Sequence, residues 1–290
     1  MAELFFIPIG IVVGIMSGFL GIGGGIIIMP ILLLFGLSAD QAVSTSLMFT
    51  LGTSLSGAAT HTKMKNVNWK VAANIGIVGA LVAQASKFIV IYISGRYDWL
   101  LNICLIVLLS YFAWGMHKRK NLQEKVPRVI NPYVALAVIG VATGFLSSLL
   151  GIGGGFIALS FLMLWQGFDS RKAIGTSLAI IIFVSAGGVI GYGMQFHLNY
   201  LLGLYLIIGA FMGTPVGAKL TAKFTSEEIK KIMGRLYVFV IASLAVDLVS
   251  EFYLPVLKWL SLSIILAFLV YLLITISVTI IRSKRAKPAN

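Results

Sequence analysis

The chain has 290 residues, 59% of them hydrophobic and 11% charged, with a mean hydropathy of +1.01, and these values exclude a soluble globular domain. Its net charge of +13 would suit a nucleic-acid partner, but the basic residues are spread over the ends of apolar runs, so no nucleic-acid interface is expected. The single cysteine, Cys104, lies inside an apolar run, which excludes an internal disulfide and any cysteine-based metal site and reads as a small buried hydrophobe.

The apolar runs predict membrane-spanning helices, since about 20 residues at roughly 1.5 Å each cross a hydrocarbon core of about 30 Å. None of the long runs alternates as a barrel strand would. Met1-Ala2-Glu3 lacks the basic start of a secretory signal, and no small-residue cleavage pattern precedes the first glycines, so the N-terminus is read as retained. An apolar arm from Leu4 to Leu20 breaks at Gly21-Ile22-Gly23-Gly24-Gly25 and resumes from Ile26 to Phe35, a hairpin of unequal arms closed by the turn Gly36 to Asp40. Helices are then expected near Gln41–Thr62, Val71–Ile93 and Trp99–Met116. The hydrophilic stretch His117 to Arg128 reads as a central linker. After Pro132 comes an arm to Leu150, a second knot at Gly151-Ile152-Gly153-Gly154-Gly155, an arm to Trp165, and helices near Lys172–Met194, Asn199–Leu220 and Ile229–Val249. A last helix, Pro255–Ile281, has no counterpart and ends in a basic tail.

The order of events is thus repeated. The knots at Gly21 and Gly151 are offset by 130 residues, while Ala42 to Leu47 matches Ala173 to Leu178 at an offset of 131, so one residue is inserted in the second hairpin. At that offset Ser54 meets Ser185, Gly57 meets Gly188 and Asn68 meets Asn199. The expected organisation is a first repeat over 1–118, a basic linker over 119–131, a second repeat over 132–250, and a C-terminal helix with its tail over 251–290. With the linker and tail cytoplasmic, counting helices back puts Lys63, Lys65, Lys70, Arg171, Lys172 and Lys219 to Arg235 inside, and leaves Asp40 and the Arg96 to Asp98 turn outside. The Asp40 turn and its counterpart at Arg171 then lie on opposite faces, so the two repeats are expected to be inverted, with the N-terminus outside and the C-terminus in the cytoplasm. The predicted fold is an all-α polytopic membrane protein of two inverted repeats, each a glycine-broken helical hairpin followed by three transmembrane helices, plus one extra C-terminal helix.

Broken helices in inverted repeats are a recurrent plan of secondary transporters, with the substrate near the midplane. A glycine run weakens a helix and frees amide groups that lipid cannot satisfy, and the arms beginning at Ile26 and Phe156 would turn their partly positive N-terminal ends on a cavity suited to an anion. The alternatives are a packing motif of small residues and a nucleotide loop; the latter lacks a following Gly-Lys-Ser/Thr and a preceding strand. Ser46, Thr50, Thr53, Ser54 and Gly57 form a small, hydroxylated stripe that Ser177, Ser185 and Gly188 repeat more thinly, either lining the path or bonding back to their own helix. Acidic residues fall in termini, turns and helix ends, so a mid-membrane carboxylate for a cation is missing and an anion or neutral solute is the expected substrate. The expected substrate contacts are Gly21, Gly23, Gly24, Gly25, Thr45, Ser46, Thr50 and Ser54, with Gly151, Gly153, Gly154, Gly155, Thr176 and Ser177. His61, at the cytoplasmic end of its helix, is the candidate for proton coupling. Lys87 and Lys219 are expected to snorkel. No nucleophile, base and orienting group stand at useful spacing, no metal or other cofactor is indicated, and an enzyme is not expected.

Gly21 to Gly25 with Pro30, the block Ala42-Val43-Ser44-Thr45-Ser46-Leu47, His61, Asn68-Trp69, Gly151 to Gly155, Ala173 with Thr176-Ser177-Leu178, and Gly213 to Gly217 with Ala218 resemble the TauE/SafE sulfite exporter family, also called the toluene-sulfonate uptake permeases. The resemblance covers nearly the whole chain. It implies a prokaryotic inner-membrane carrier that moves sulfur-containing anions such as sulfite, sulfonates or sulfoacetate without ATP. Ser160 stands where Pro30 leads one to expect proline, and Ala83-Gln84-Ala85-Ser86 where the second half keeps glycines, so the two gates are expected to differ. The resulting reading is a secondary transporter working by alternating access, with the anion between the knots and the lipid bilayer as surroundings. An anion channel of the same architecture, a membrane-embedded enzyme and an assembly scaffold stay open as alternatives, as does assembly into a homo-oligomer.

Overall fold

The structure, a computed structural model, describes residues 2–93, 98–118, 132–150, 153–193, 200–252 and 257–285. Gly151, the linker 119–131 and the turns at 94–97 and 194–199 lie outside these, as do the side chains of Cys104, Lys87 and Asp40. The described residues are helical, without strands. After a short 3-10 turn (Ala2–Phe5) come α1 (Phe6–Leu20), α2 (Gly25–Leu34), α3 (Ala39–Lys63), α4 (Trp69–Ile93), α5 (Asp98–Lys118), α6 (Pro132–Leu150), α7 (Gly155–Leu164), α8 (Ser170–Gly193), α9 (Tyr200–Thr221), α10 (Ser226–Phe252) and α11 (Leu257–Arg285). Five helices per half and one extra match the expected order. Among the described residues, Ser170–Tyr192, Tyr200–Thr221 and Ser226–Ser250 are long and apolar enough to cross a membrane, and Phe6–Leu20 and Gly155–Leu164 are shorter apolar helices.

Helix starts follow local chemistry. The backbone N–H of Val71 donates to Asn68 Oδ1 at 3.2 Å, which starts α4. Asp169 Oδ1 accepts from the N–H of Arg171 (2.9 Å) and of Lys172 (3.2 Å) at the start of α8. Helix α10 begins at Ser226 rather than at the expected Ile229, because Thr225 and Glu228 form a reciprocal capping box: Thr225 N–H reaches Glu228 Oε2 at 2.8 Å and Glu228 N–H reaches Thr225 Oγ1 at 3.2 Å. Helix α11 continues past Ile281 to Arg285, since leaving the apolar run gives no reason to stop and basic residues suit a helix C-terminus.

The helices gather into two compact units, residues 1–92 with 121–222 and residues 93–120 with 223–290. The first holds α1–α4 and α6–α9; the second holds α5, α10 and α11. Each unit draws on both sequence halves. In the second, α10 packs on α5 through Phe112 and Tyr237, whose ring centroids are 6.2 Å apart, and on α11 through Ser243 and Ser261, whose hydroxyls lie 2.8 Å apart.

In the first unit the halves interlock reciprocally. Helix α1 crosses α9 so closely that a methyl group at Gly209, Gly213 or Gly217 would collide with the carbonyls of Ile7, Ile11 and Ile15 respectively. Gly10 faces the Leu206 carbonyl and Gly209; in the other half, Gly140 of α6 faces the Ile75 carbonyl and Val78 of α4, the same positions shifted by 130 and 131. Gly14 against Ala210 is likewise repeated by Gly144 against Gly79. Gly57 makes room for Leu178 and Gly188 for Leu47, another matched pair. At one crossing the bulk is exchanged: Gly52 accommodates Ile207, whereas at the equivalent place Gly76 accommodates Phe183.

Extra volume at such a crossing forces the backbones apart. Gly213→Leu is expected to cost about 1–3 kcal/mol, seen as a lowered Tm of the detergent-purified protein. Gly234→Ala on α10, where a Cβ would find only Met116 Cβ at 4.0 Å, should leave Tm unchanged or raise it.

Candidate functional site

The two breaks share one geometry. Gly21 closes α1 with φ +70° and donates its N–H to the Ser17 carbonyl at 2.8 Å. Gly23 and Gly24 have φ of +80° and +77°, and Gly153 and Gly154 have +76° and +67°, a left-handed conformation that L side chains rarely adopt. Gly24 and Gly154 are the N-caps of α2 and α7. The Gly24 carbonyl accepts from Ile27 and Ile28 N–H, both at 3.1 Å, and the Gly154 carbonyl from Ile157 (3.1 Å) and Ala158 (3.0 Å). Having no side chains, these N-caps cannot bond the first-turn amides as Asn68, Asp169 and Thr225 do elsewhere. The described residues of both knots are buried.

The knots touch each other. A Cβ at Gly155 would lie 2.8 Å from the Ile22 carbonyl oxygen, so the start of α7 rests on the first knot. Thr50 of α3 and Ile181 of α8, which occupy equivalent positions, press against both Gly23 and Gly153.

Hydroxyls and an imidazole secure carbonyls of the first knot and of the end of α1 before it. Ser177 Oγ donates to the Gly21 carbonyl at 2.8 Å, within reach of the Ile174 carbonyl at the same distance. Thr53 Oγ1 donates to the Gly23 carbonyl at 2.7 Å, Ser46 Oγ stands 3.5 Å from that of Gly25, and Thr221 Oγ1 is 3.3 Å from that of Phe19. His61 Nε2 donates to the Gly18 carbonyl at 3.2 Å, while Asn66 Nδ2 faces Nδ1 at 3.4 Å; these bonds fix the neutral tautomer with its proton on Nε2. Three residues before the knot, α1 is thereby tied to the end of α3.

Other expected site residues are placed as follows. Thr50 and Ser54 are buried but turn their hydroxyls onto their own helix, to the carbonyls of Ser46 (2.7 Å) and Leu51 (2.9 Å). Thr176 Oγ1 accepts the Asn68 N–H at 3.1 Å, which links the start of α4 to α8. Thr45 is buried and its hydroxyl has no partner among the described residues. Lys219 is exposed near the end of α9. Among the described residues no group of three His, Cys, Asp or Glu could hold a metal ion.

Three hydroxyls beside the knots went unmarked in the sequence. Ser17, Ser147 and Thr143 are buried and have no hydrogen-bond partner among the described residues, as is also true of Ser185 on the hydroxylated stripe. Ser17 and Ser147 each stand four residues before a knot, at the knot's own offset of 130. That identity was available as a signal.

Residues 6–244 match the family described as sulfite exporter TauE/SafE. The chain belongs to this family. A probable membrane transporter protein of Methanocaldococcus jannaschii is 30% identical over 258 residues, 81% of this chain and 94% of that protein. The probable membrane transporter proteins YunE and YdhB of Bacillus subtilis are 27% and 30% identical, covering 80% and 72% of this chain and 93% and 86% of their own lengths. No solved structure matches. The TauE/SafE member described here is accordingly an integral membrane transporter of a small molecule, not an enzyme.

The Thr53 bond gives a direct check on the first knot. Thr53→Val keeps the shape but strands a buried carbonyl, and should cost about 1–3 kcal/mol, whereas Thr60→Val, which removes a bond to its own helix at Ser56, should change Tm much less.

Proposed function

We propose that this TauE/SafE protein is a secondary transporter of small sulfur-containing anions, such as sulfite, sulfonates or sulfoacetate, in the prokaryotic cytoplasmic membrane. The observation that carries the reading is the meeting of two glycine-broken helices at one buried place, each presenting a helix N-terminus with no side-chain cap. Amides so placed, together with serine and threonine hydroxyls, are donors for an anion. Among the described residues of the first unit the acidic ones, Glu3, Asp40 and Asp169, stand in the N-terminal turn or at helix starts and none belongs to a knot, which suits an anion.

Alternating access follows if the two halves lie inverted in the membrane, N-terminus outside and C-terminus in the cytoplasm, and the contact between Gly155 and Ile22 opens to one face or the other. The reciprocal packing of α1 on α9 and of α6 on α4 supports two equivalent moving parts. The domain division into repeats over 1–118 and 132–250, with the linker and the C-terminal helix outside them, belongs to this proposal. His61 is the group we assign to proton coupling: a second ring proton would make Nδ1 a donor facing the Asn66 amide, and would break a bond that ties α3 to its own loop.

Flux into proteoliposomes tests the reading. Uptake of sulfite, thiosulfate, a sulfonate or a carboxylate should saturate with concentration, and in His61→Gln it should lose its response to a pH gradient while persisting without one. No flux of any of these anions under any ion gradient would overturn the anion-transport reading, and ohmic single-channel currents would replace the carrier with a channel.

A further inference from the structure

The two knots differ in what surrounds them. At the second knot, three buried hydroxyls from two helices have no partner among the described residues. Thr143 and Ser147 lie one turn apart on one face of α6, 0% and 1% exposed, and Ser185 of α8 is 0% exposed. Ser185 Oγ lies 3.2 Å from where a Cβ on Gly153 would stand, and Ser147 Cβ lies 3.3 Å from the corresponding point on Gly154, which the Thr143 methyl and carbonyl also approach, at 2.6 and 2.7 Å. The Ser185 hydroxyl of α8 and the Thr143 and Ser147 residues of α6 thus flank the Gly153–Gly154 corner, which leads directly into the uncapped first turn of α7, a helix of ten residues.

At the first knot the matching hydroxyls are used differently. The position matching Thr143 is Val13, and Ser54, which matches Ser185, spends its hydroxyl on the Leu51 carbonyl at 2.9 Å. Thr53, Ser177 and His61 are committed to carbonyls of this knot or of the helix end before it. Of the matched hydroxyls only Ser17, the counterpart of Ser147, has no partner there.

A buried hydroxyl without a partner is destabilising, and such groups in native proteins call for an explanation. Three around one corner are explained by a ligand that is rich in acceptors. The geometry points to the second knot as the seat of the anion: Ser185 from α8, and Thr143 and Ser147 from α6, donate to separate oxygens of an oxyanion held at the N-terminus of α7, while the first knot is the internally bonded wall against which that seat closes. This inference rests on the anion-transport reading above and narrows it to one half of the chain. Donors arriving from two sides favour an ion with several acceptor oxygens over a single-centre halide.

Calorimetric titration of the full-length protein in nanodiscs with sulfite, methanesulfonate and chloride tests the assignment. Ser185→Ala and the double variant Thr143→Val/Ser147→Ala should each raise the Kd for sulfite and methanesulfonate about tenfold or more, the loss expected for a hydrogen bond to a charged group. The ligand-free Tm should stay equal or rise, because each change removes an unpaired buried hydroxyl. Ser17→Ala should bind within about twofold of the parent. A parent protein that binds both oxyanions while Ser185→Ala and the double variant bind them equally well would overturn the seat and leave anion transport standing. Loss of affinity in Ser17→Ala as large as in Ser185→Ala would overturn the difference between the knots. Chloride bound as tightly as sulfite would overturn the oxyanion class, and no binding of any anion by the parent would overturn this inference together with the reading it rests on.

Discussion

A helix broken inside a hydrophobic interior must find partners for the amides and carbonyls that the break releases, because lipid offers none. Two such breaks stand in this chain, and the first meets this demand from both halves. Ser177 of α8 secures Gly21, and Thr53 of α3 secures Gly23. This explains why α3 and α8, which otherwise read as apolar spans, carry serines and threonines on their inner faces. It also explains why those faces must pack together, with Thr50 and Ile181 between the knots. The glycines do two jobs at once: they supply the left-handed turns, and they leave no side chain to keep the breaks apart.

The same demand makes the halves interdependent. The first arm of each hairpin lies in a groove made by the fourth helix of the other half, at glycines that admit backbone against backbone. The first unit therefore cannot be assembled from either half alone. At Gly52 with Ile207 and Gly76 with Phe183 the small and the large residue change places between the halves, so each crossing keeps one of each. The knots differ likewise: beside the first, Thr53 and Ser54 spend their hydroxyls on carbonyls while Ser17 does not, and beside the second, Thr143, Ser147 and Ser185 have no partner among the described residues.

Much of this architecture was legible in the sequence. Long apolar runs, two knots and a constant offset gave the helix order, the five-plus-one count and the pairing of Gly57 with Gly188, since period and spacing are properties of the chain itself. Boundaries slipped where capping decided them, as at Thr225 and Glu228 ahead of α10. The division into compact units was not legible, because α5 and α10 come together across more than a hundred residues and leave their sequence neighbours. At the site, the knots and the stripe could be named, but not which hydroxyls were spent. Thr50 and Thr53 look alike in sequence. Both lie within reach of a carbonyl of their own helix but Thr53 also reaches the knot, and only the rotation of α3 against α2 decides between them. Ser17 and Ser147 were overlooked because a serine inside an apolar arm carries no local signal; its meaning lies in what packs beside it.

The central claim is that an anion is held where the two breaks meet. Selenite replaces the sulfur of sulfite with an atom that scatters X-rays anomalously and so marks its own position. In crystals of the full-length protein grown with selenite at concentrations that compete with sulfite flux, the account predicts one strong selenium peak at the start of α7, within hydrogen-bonding distance of Ser185 Oγ and the Gly153–Gly155 backbone. A selenium peak elsewhere in the transporter, with the two knots still in contact as they are here, would contradict it.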